Sequence, residues 1–213
     1  MGNSIPAIFV QDTAVRILDV AERLVQTRGY NGFSYADIAL QLGISKASLH
    51  HHYATKAELG GALIARYTES FGAALDVIDR KVHDPIRKLR RYVQLYQDVL
   101  TEERLCLCGM LAAEYLTLPK AMQDEIRRFF DLNEVWLGRV VEQGRRAKVL
   151  HSRGSSQDIA RLLLSALEGA MLMARPYNDA ARFATTARQL LADLKPQPDA
   201  PTLSKPKAAI LAR

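Results

Sequence analysis

Apolar residues recur at intervals of three and four positions along most of this chain, and no segment shows the strict alternation of a half-buried strand. Capping residues, glycines and prolines interrupt this pattern at intervals that suit helix ends. The pattern predicts an all-α fold of about nine helices. Their expected bounds are 13–29, 34–43, 45–53, 55–82, 85–101, 105–118, 119–148, 156–175 and 178–194.

The stretch from Ser34 to Tyr53 has the pattern of two short helices joined by a tight turn. Ser34 can cap the first helix, and Asp37 follows three residues later in a variant of the capping box. Gly43 can adopt the left-handed conformation that ends a helix, and Ser45 can cap the second helix. A helix, a glycine-containing turn and a second helix form a helix-turn-helix, whose second helix can enter the major groove of DNA.

Polar side chains on the second of these helices can donate hydrogen bonds to phosphates or base edges. They are Lys46, Ser48, His50, His51 and His52. Thr55 and Glu58 form a second capping box, and Lys56 lies in the first turn of the helix that follows. A cation at a helix N-terminus is unfavourable by itself, so Lys56 indicates that an anion such as a phosphate docks there.

The segment GYNGFSYADIALQLGISKASLHHHYATKAELGGALI, residues 29–64, resembles the DNA-binding domain of the TetR family of transcriptional regulators. The matching residues are Gly29-Tyr30, Gly32-Phe33, Ile38-Ala39, Leu42-Gly43-Ile44-Ser45, Ser48-Leu49, His51, Lys56 and Leu59. The resemblance implies a helix-turn-helix DNA-binding domain over residues 1–55 and a helical ligand-binding and dimerisation domain over residues 56–194. It also implies a homodimer, a near-palindromic DNA operator and a small-molecule effector that releases a repressor from DNA.

The same resemblance assigns DNA-contacting roles to individual residues. Phosphate contacts fall to Ser34, Tyr35, His50, His52 and Lys56, and base contacts to Lys46, Ala47, Ser48 and His51. The chain departs from the family pattern at three positions. The family usually has tyrosine where this chain has His50, often has tyrosine where it has His52, and usually has phenylalanine where it has Tyr53. Histidine keeps a hydrogen-bond donor at position 50 but shortens its reach toward a phosphate.

Helices of the second domain carry enough aromatic and sulfur-containing residues to enclose an apolar molecule. The residues expected to line such a pocket are Cys106, Met110, Tyr115, Phe130, Trp136 and Met171. Segment 105–118 is almost wholly apolar, which predicts a helix buried on most sides. Glu114 lies within it, where an unpaired carboxylate is costly, so Glu114 is expected to pair with a cation, to lie at an edge or to face a ligand.

Two apolar stripes near the C-terminal end predict the subunit interface. One consists of Ile159, Leu163, Ala166, Leu167, Ala170 and Met171, and the other of Phe183, Ala187, Leu190 and Leu194. Two such helices from each subunit can form a four-helix bundle around a twofold axis. Two DNA-binding domains related by that axis would contact half-sites about one helical turn (~34–36 Å) or a multiple apart.

The histidine run and the two cysteines could suggest metal or redox chemistry. Successive residues point about 100° apart on a helix, so His50, His51 and His52 cannot converge on one metal ion. Cys106 and Cys108 lie two positions apart on the predicted helix and therefore face different directions. This spacing favours packing over a redox pair, and the alternative is that one thiol senses a ligand or an electrophile.

The alternatives to a ligand-released repressor fall into two classes. Among DNA-binding proteins, the chain could be an activator or a regulator without a ligand. Outside them, it could be a thiol-dependent enzyme that uses Cys106 and His151. No nucleophile elbow, glycine-rich phosphate loop or HExxH motif is present, so the sequence predicts no catalytic, metal or cofactor site.

Charge and hydropathy bound the remaining possibilities. The chain has 213 residues and a formal charge of +6, yet residues 1–60 hold five basic and five acidic side chains. Affinity for DNA must therefore depend on where the charges are placed. No apolar run reaches the length of a membrane span and no signal peptide is evident, so a cytoplasmic protein is expected. The tail, residues 195–213, contains prolines and lysines and is expected to be disordered.

Overall fold

A computed structural model describes residues 12–151 and 153–195 of the chain, which fold into nine α-helices and two single-turn 3₁₀ helices. The α-helices are α1 (Thr13–Arg28), α2 (Tyr35–Leu42), α3 (Lys46–His52), α4 (Lys56–Lys81), α5 (Pro85–Thr101), α6 (Leu107–Ala113), α7 (Lys120–Arg146), α8 (Ser156–Ala174) and α9 (Ala180–Asp193). The described residues contain no strand, which confirms the predicted all-α class. The predicted tail lies outside the described residues, apart from Lys195.

Side-chain caps set the beginnings of several helices, as the sequence predicts. Asp12 Oδ1 accepts from the backbone N–H of Ala14 at 3.1 Å, and Ser45 Oγ accepts from that of Ser48 at 3.0 Å. Thr55 Oγ1 does the same for Glu58 at 3.1 Å. Each of these bonds satisfies one of the N–H groups that a helix leaves unpaired in its first turn.

The first three helices form a compact unit, which is described below as the three-helix unit (residues 13–52). Gly43 ends α2 in the left-handed region at φ 65°, which turns the chain into α3. Helix α1 packs against α2, and α2 against α3. The buried side chains that hold this unit together are Ile17, Leu24, Val25, Ile38 and Leu49.

Helix α4 belongs both to the three-helix unit and to the helices that follow. Its N-terminal half buries Leu59 and Leu63, while α1 packs alongside. Its C-terminal half buries Leu75 and Ile78 in a second layer, where α4 packs against α5 and α7. In that layer α8 lies between α7 and α9, and α5 covers α7 and α9. The buried apolar residues of both parts join in one continuous core.

The prediction of one continuous helix over residues 105–118 is wrong. Cys106 precedes α6 as its N-cap, with φ −53° and ψ 128°. Helix α6 ends at Ala113, Glu114 leaves the helix, and residues Tyr115–Thr117 form a 3₁₀ turn. Glu114 turns away because its carboxylate accepts hydrogen bonds from the end of α1, as described below. Leu116 is 92% exposed, so the segment is not buried along its whole length.

Most residues of the predicted interface stripes on α8 and α9 are buried inside the subunit, and Ala166 and Leu190 are half-buried, so the prediction that these faces form the dimer contact is wrong. Leu167 is 1% exposed and Phe183 0%, because α8 packs between α7 and α9 within one chain. The opposite side of α8 carries the exposed apolar residues Leu162 and Met173, at 54% and 65%. Helix α8 is apolar on most of its circumference, and the sequence pattern cannot tell which of two apolar faces is internal.

Candidate DNA interface and buried polar cluster

Helix α3 presents its polar side chains outward from a single buried anchor. Leu49 is fully buried, whereas Lys46, Ala47, His51 and His52 are exposed. Ser48, half-buried, donates its backbone N–H to the cap Ser45. The structure therefore brings together on α3 the four residues to which the sequence assigns base contacts, Lys46, Ala47, Ser48 and His51.

His50 and Tyr35 make internal contacts at the junction of α3 and α4. The Tyr35 hydroxyl donates to the backbone oxygen of Tyr53 at 2.9 Å, and its ring lies 4.7 Å from the His50 ring, centroid to centroid. Nδ1 of His50 lies 3.0 Å from the backbone oxygen of Ala54. Burial raises the pKa of Tyr35 to about 12, so its hydroxyl stays protonated and remains a donor. These two residues thus hold the turn between α3 and α4.

Lys56 reaches back from α4 to the loop that precedes α2. Its Nζ donates to the backbone oxygens of Tyr30 at 2.6 Å and of Phe33 at 2.5 Å. The same atom lies 4.5 Å and 4.2 Å from the centroids of the two rings, which are cation–π distances. Burial lowers the pKa of Lys56, while the charges of Glu114 and Asp37 oppose the effect. Lys56 therefore fastens this loop to α4, and two of its three N–H groups are already used.

Ser34 is exposed at the start of α2 and is bonded to Asp37. Its backbone N–H and its hydroxyl both donate to Asp37 Oδ2 at 2.7 Å. The bonds from Ser34 hold the pKa of Asp37 below its usual value. The hydroxyl proton is thus committed to the capping box of α2.

Glu114 joins the segment after α6 to the end of α1. Its carboxylate accepts from the backbone N–H groups of Tyr30 at 2.5 Å and of Asn31 at 3.1 Å. Gly29 has φ 82°, and a Cβ placed there would lie 2.9 Å from Glu114 Oε1. Both the backbone conformation and the close carboxylate therefore require glycine at this position. The three roles expected for Glu114 did not include pairing with backbone N–H groups.

Further hydrogen bonds hold the same end of α1. The backbone N–H of Leu105 donates to the oxygen of Gln26 at 3.2 Å, and Arg104 donates to the Gln26 side chain at 2.7 Å. Arg175, just after α8, donates to the backbone oxygen of Thr27. The C-terminal end of α1 is thus bound by residues that flank α6 and α8, in addition to its packing on α4.

The six residues predicted to line a ligand pocket lie in different surroundings. Cys106 and Met171 are buried, and Phe130 packs on Phe129 with 5.5 Å between the ring centroids. Tyr115 accepts a hydrogen bond from Arg127, and the sulfur of Met110 accepts one from Arg175. Trp136 donates to Asp79 at 3.0 Å and borders a groove of about 410 Å³ between α4 and α7.

A group of polar side chains that the sequence reasoning missed lies in the centre of the second domain, and we call it the buried polar cluster. It consists of Tyr92, Tyr96, Cys106 and Asn133, which are buried, and of Tyr67 and Glu168, which are half-buried. The Tyr96 hydroxyl lies 3.3 Å from Glu168 Oε1 and 3.2 Å from the Tyr92 hydroxyl. Tyr92 donates to Asn133 Oδ1 at 2.8 Å, and Tyr67 to the Cys106 sulfur at 3.8 Å. A glutamate within the apolar run LLLSALEGAMLM was the available signal.

Burial controls the protonation of this cluster. It raises the pKa of Glu168 to about 7, although hydrogen bonds from Cys106 and Tyr96 act in the opposite direction. Burial and the nearby Glu168 raise the pKa of the Cys106 thiol well above its ordinary value, and the same causes act on Cys108. Both sulfurs therefore carry their protons at neutral pH and are poor nucleophiles.

The parts of the chain that the structure describes contain neither a metal-ligand cluster nor a membrane-spanning helix. No group of three histidine, cysteine, aspartate or glutamate residues is placed to hold a metal ion within 12–151 and 153–195. Over the same ranges, no helix has both the length and the apolar composition that crossing a membrane requires.

Comparison with known proteins identifies the family. Residues 17–63 match the family described as bacterial regulatory proteins, tetR family, and residues 85–190 match the tetracyclin repressor-like C-terminal domain. A TetR family regulator from Agrobacterium tumefaciens has a similar structure, with a TM-score of 0.83 and 33% identity over 86% of this chain and 97% of its own. A TetR regulator from Legionella pneumophila gives 0.81 and 31%, over 88% of this chain and 100% of its own.

A curated relative is similar over much of the same length. The transcriptional regulator AcuR of Cereibacter sphaeroides is 27% identical over 157 residues, which cover 70% of this chain and 69% of AcuR. The two segments matched by the family models include the helix-turn-helix and the helices that carry Tyr92, Tyr96, Asn133 and Glu168. The chain is therefore a DNA-binding transcriptional regulator of the TetR family.

Proposed function

We propose that this protein is a repressor that binds a near-palindromic operator as a homodimer and is released from it by a small ligand. The observation that carries the proposal is the double attachment of the three-helix unit to the second domain. Helix α4 runs through both, and Glu114 holds the loop after α1 by two backbone hydrogen bonds. A ligand that shifts α6 against α7 would change both attachments and so the spacing of the two DNA-binding units.

Such a ligand acts only through a difference in affinity between two states. It must bind the spacing that does not fit DNA more tightly than the spacing that does. A hundredfold loss of operator affinity requires about 2.7 kcal/mol of this difference. We assign DNA contact to residues 1–55 and ligand binding and dimerisation to residues 56–194.

The division between base and phosphate contacts is tested by two lysines. Lys46→Ala should cost about 1–3 kcal/mol on the operator and little on random DNA, because Lys46 is free on the outer side of α3. Lys56→Ala should weaken binding to every sequence alike. Fluorescence anisotropy with labelled DNA from the region that flanks the coding sequence, at several salt concentrations, measures both.

The salt dependence separates two roles of Lys56. If its remaining N–H contacts a phosphate, Lys56→Ala should reduce the salt slope by about one. If Lys56 only holds the loop at residues 30–33, binding should weaken while the slope stays the same. An equal loss on operator and random DNA for both lysine variants would contradict the assignment of Lys46 to bases.

The dimer contact is assigned to the outward side of α8. Leu162 and Met173 are exposed there, and Gly169 leaves open space where a Cβ would stand. An unpartnered apolar face on a protein of a dimer-forming family is the natural contact for a second copy. The alternative of a thiol-dependent enzyme is disfavoured, because burial raises the pKa of the Cys106 thiol well above its ordinary value and the thiol keeps its proton.

A further inference from the structure

Glu168 is an acidic side chain of the second domain whose two hydrogen-bonding partners, Tyr96 and Cys106, are uncharged at neutral pH. The groups that interact with it are the hydroxyl of Tyr96 and the thiol of Cys106. Glu168 in turn influences the ionisation of Tyr67, Tyr92 and Cys108. No cation is among the groups that act on the Glu168 carboxyl in the described part of the chain. A buried carboxylate without a cation is costly, so it either holds a proton or awaits a positive partner.

The carboxylate occupies space that a side chain would otherwise fill. A Cβ placed on Gly109 of α6 would lie 2.3 Å from Glu168 Oε2. The glycine therefore allows α6 and the carboxylate to approach, and a larger residue would push the carboxylate away. Helix α6 is also the element whose flanking residues hold the end of α1.

Aromatic rings surround the same region. The Phe71 ring lies 6.1 Å from that of Tyr96 and 5.3 Å from that of Phe129, and Tyr67 lies 5.5 Å from Phe129, all between ring centroids. Rings of this kind attract an organic cation through their faces, most strongly where water is excluded. The Tyr96 hydroxyl joins this set of rings to the Glu168 carboxylate, and a carboxylate next to aromatic rings attracts a positive group on an apolar body.

We propose that the effector of this regulator is an organic cation with an apolar or aromatic body, whose positive group pairs with Glu168 among the rings of Tyr67, Phe71 and Tyr96. This assignment rests on the proposed function and names the ligand class of that site. It narrows the apolar or aromatic molecule expected from the sequence, because it adds a positive charge that the ligand must carry.

The pairing is coupled to the release of a proton. The Tyr96 hydroxyl donates to Glu168 Oε1, and the Tyr92 hydroxyl, 3.2 Å from that of Tyr96, donates to Asn133 Oδ1. The Asn133 amide is fixed in this orientation because its nitrogen donates to the backbone oxygen of Phe129 at 2.7 Å. An arriving cation favours the ionised carboxylate, and the proton passes to solvent. Affinity for the cation should therefore rise as the pH rises through 7.

The test compares three soluble probes of similar size and different charge on the full-length protein. They are 2-phenylethylammonium, 2-phenylethanol and phenylacetate. Binding is followed by the fluorescence of Trp136, the single tryptophan of the chain, which stacks on Tyr92 at 5.5 Å. The ammonium probe should bind at least about tenfold more tightly than the other two at pH 8, and its affinity should fall at pH 6.

Glu168→Gln should reduce binding of the ammonium probe by about tenfold to a hundredfold and leave 2-phenylethanol unchanged. Glu69→Gln removes the same charge from an exposed position of α4 and is the matched control. Gly109→Ala, which crowds the carboxylate, should also weaken the ammonium probe and gives a second variant if the first fails to fold. Circular dichroism confirms the folding of each variant.

Failure of the ammonium probe to bind, equal binding of all three probes, or undiminished binding in Glu168→Gln would each overturn the proposal. The DNA arm separates this outcome from a failure of the proposed function. If phenylacetate or the alcohol releases operator DNA and the ammonium probe does not, the repressor function stands and the ligand class is wrong. Loss of operator affinity in Lys46→Ala tests the function without any probe.

Discussion

Replacing Glu168 by glutamine should change the way in which the stability of this protein depends on pH. The folded protein raises the pKa of Glu168 from an ordinary 4.5 to about 7, because the carboxyl is buried. Between these values the folded state binds the proton more tightly than the unfolded state does. The free energy of unfolding should therefore fall as the pH rises from about 4.5 to 7, and this contribution should be constant above and below that window.

The interval between the two pKa values corresponds to roughly 3 kcal/mol for one proton. Glu168→Gln keeps the shape of the side chain and removes the titration. The free energy of unfolding of the variant, relative to that of the wild type, should thus be about 3 kcal/mol higher at pH 8 than at pH 4.5. Because every other titrating group is shared, subtracting the two profiles isolates Glu168.

Urea denaturation followed by circular dichroism measures this at intervals between pH 4.5 and 8. Glu69→Gln serves again as the exposed control and should give a profile parallel to the wild type. If the Glu168→Gln profile is also parallel, the carboxyl titrates at its ordinary value and the argument for a buried, proton-holding glutamate fails.

Other variants test the contacts that connect the two domains and the subunits. Glu114→Ala should lower the free energy of unfolding by about 1.5–3 kcal/mol in urea denaturation, since two backbone N–H groups lose a charged acceptor. Gly29→Ala should lower the free energy of unfolding by about 1–2 kcal/mol, because alanine is strained at this φ. Gly61→Ala, in open space within α4, should raise it slightly, and equal effects of the two changes would contradict the strain expected at position 29. Leu162→Arg should sediment as a folded monomer, and Leu167→Arg should unfold; a folded dimer with Leu162→Arg would refute the assigned face.

Much of the fold follows from local sequence signals. Helix ends are set by residues that act on their own neighbours, such as Asp12, Ser45 and Gly43, and these were predictable within one or two residues. The continuous helix expected over residues 105–118 was wrong for the opposite reason. Helix α6 ends where the Glu114 carboxylate accepts hydrogen bonds from the backbone N–H groups of Tyr30 and Asn31. These residues lie more than 80 positions away in sequence, and no local sequence pattern indicates such a partner.

The candidate sites divide in the same way. The exposed residues of α3 follow from helical spacing around Leu49, and their DNA contacts stay a prediction. Glu168 was missed because its surroundings depend on Tyr96 from α5, on Cys106, which caps α6, and on Gly109 within α6. The inward face of α8 was also unpredictable, since apolar residues cover both of its sides and only the packing of α7 and α9 decides between them.

The contacts of Lys56 and Glu114 have a consequence for building chimaeric regulators. Both side chains lie beyond residue 55, yet both hold the loop between α1 and α2, through four backbone groups in all. A fragment that stops at residue 55 would lose every one of these bonds. A DNA-binding domain grafted from a relative onto this chain would have to present the same four backbone groups to Lys56 and Glu114. Transplanting operator specificity should therefore succeed by exchanging side chains on α3 and not by exchanging the domain.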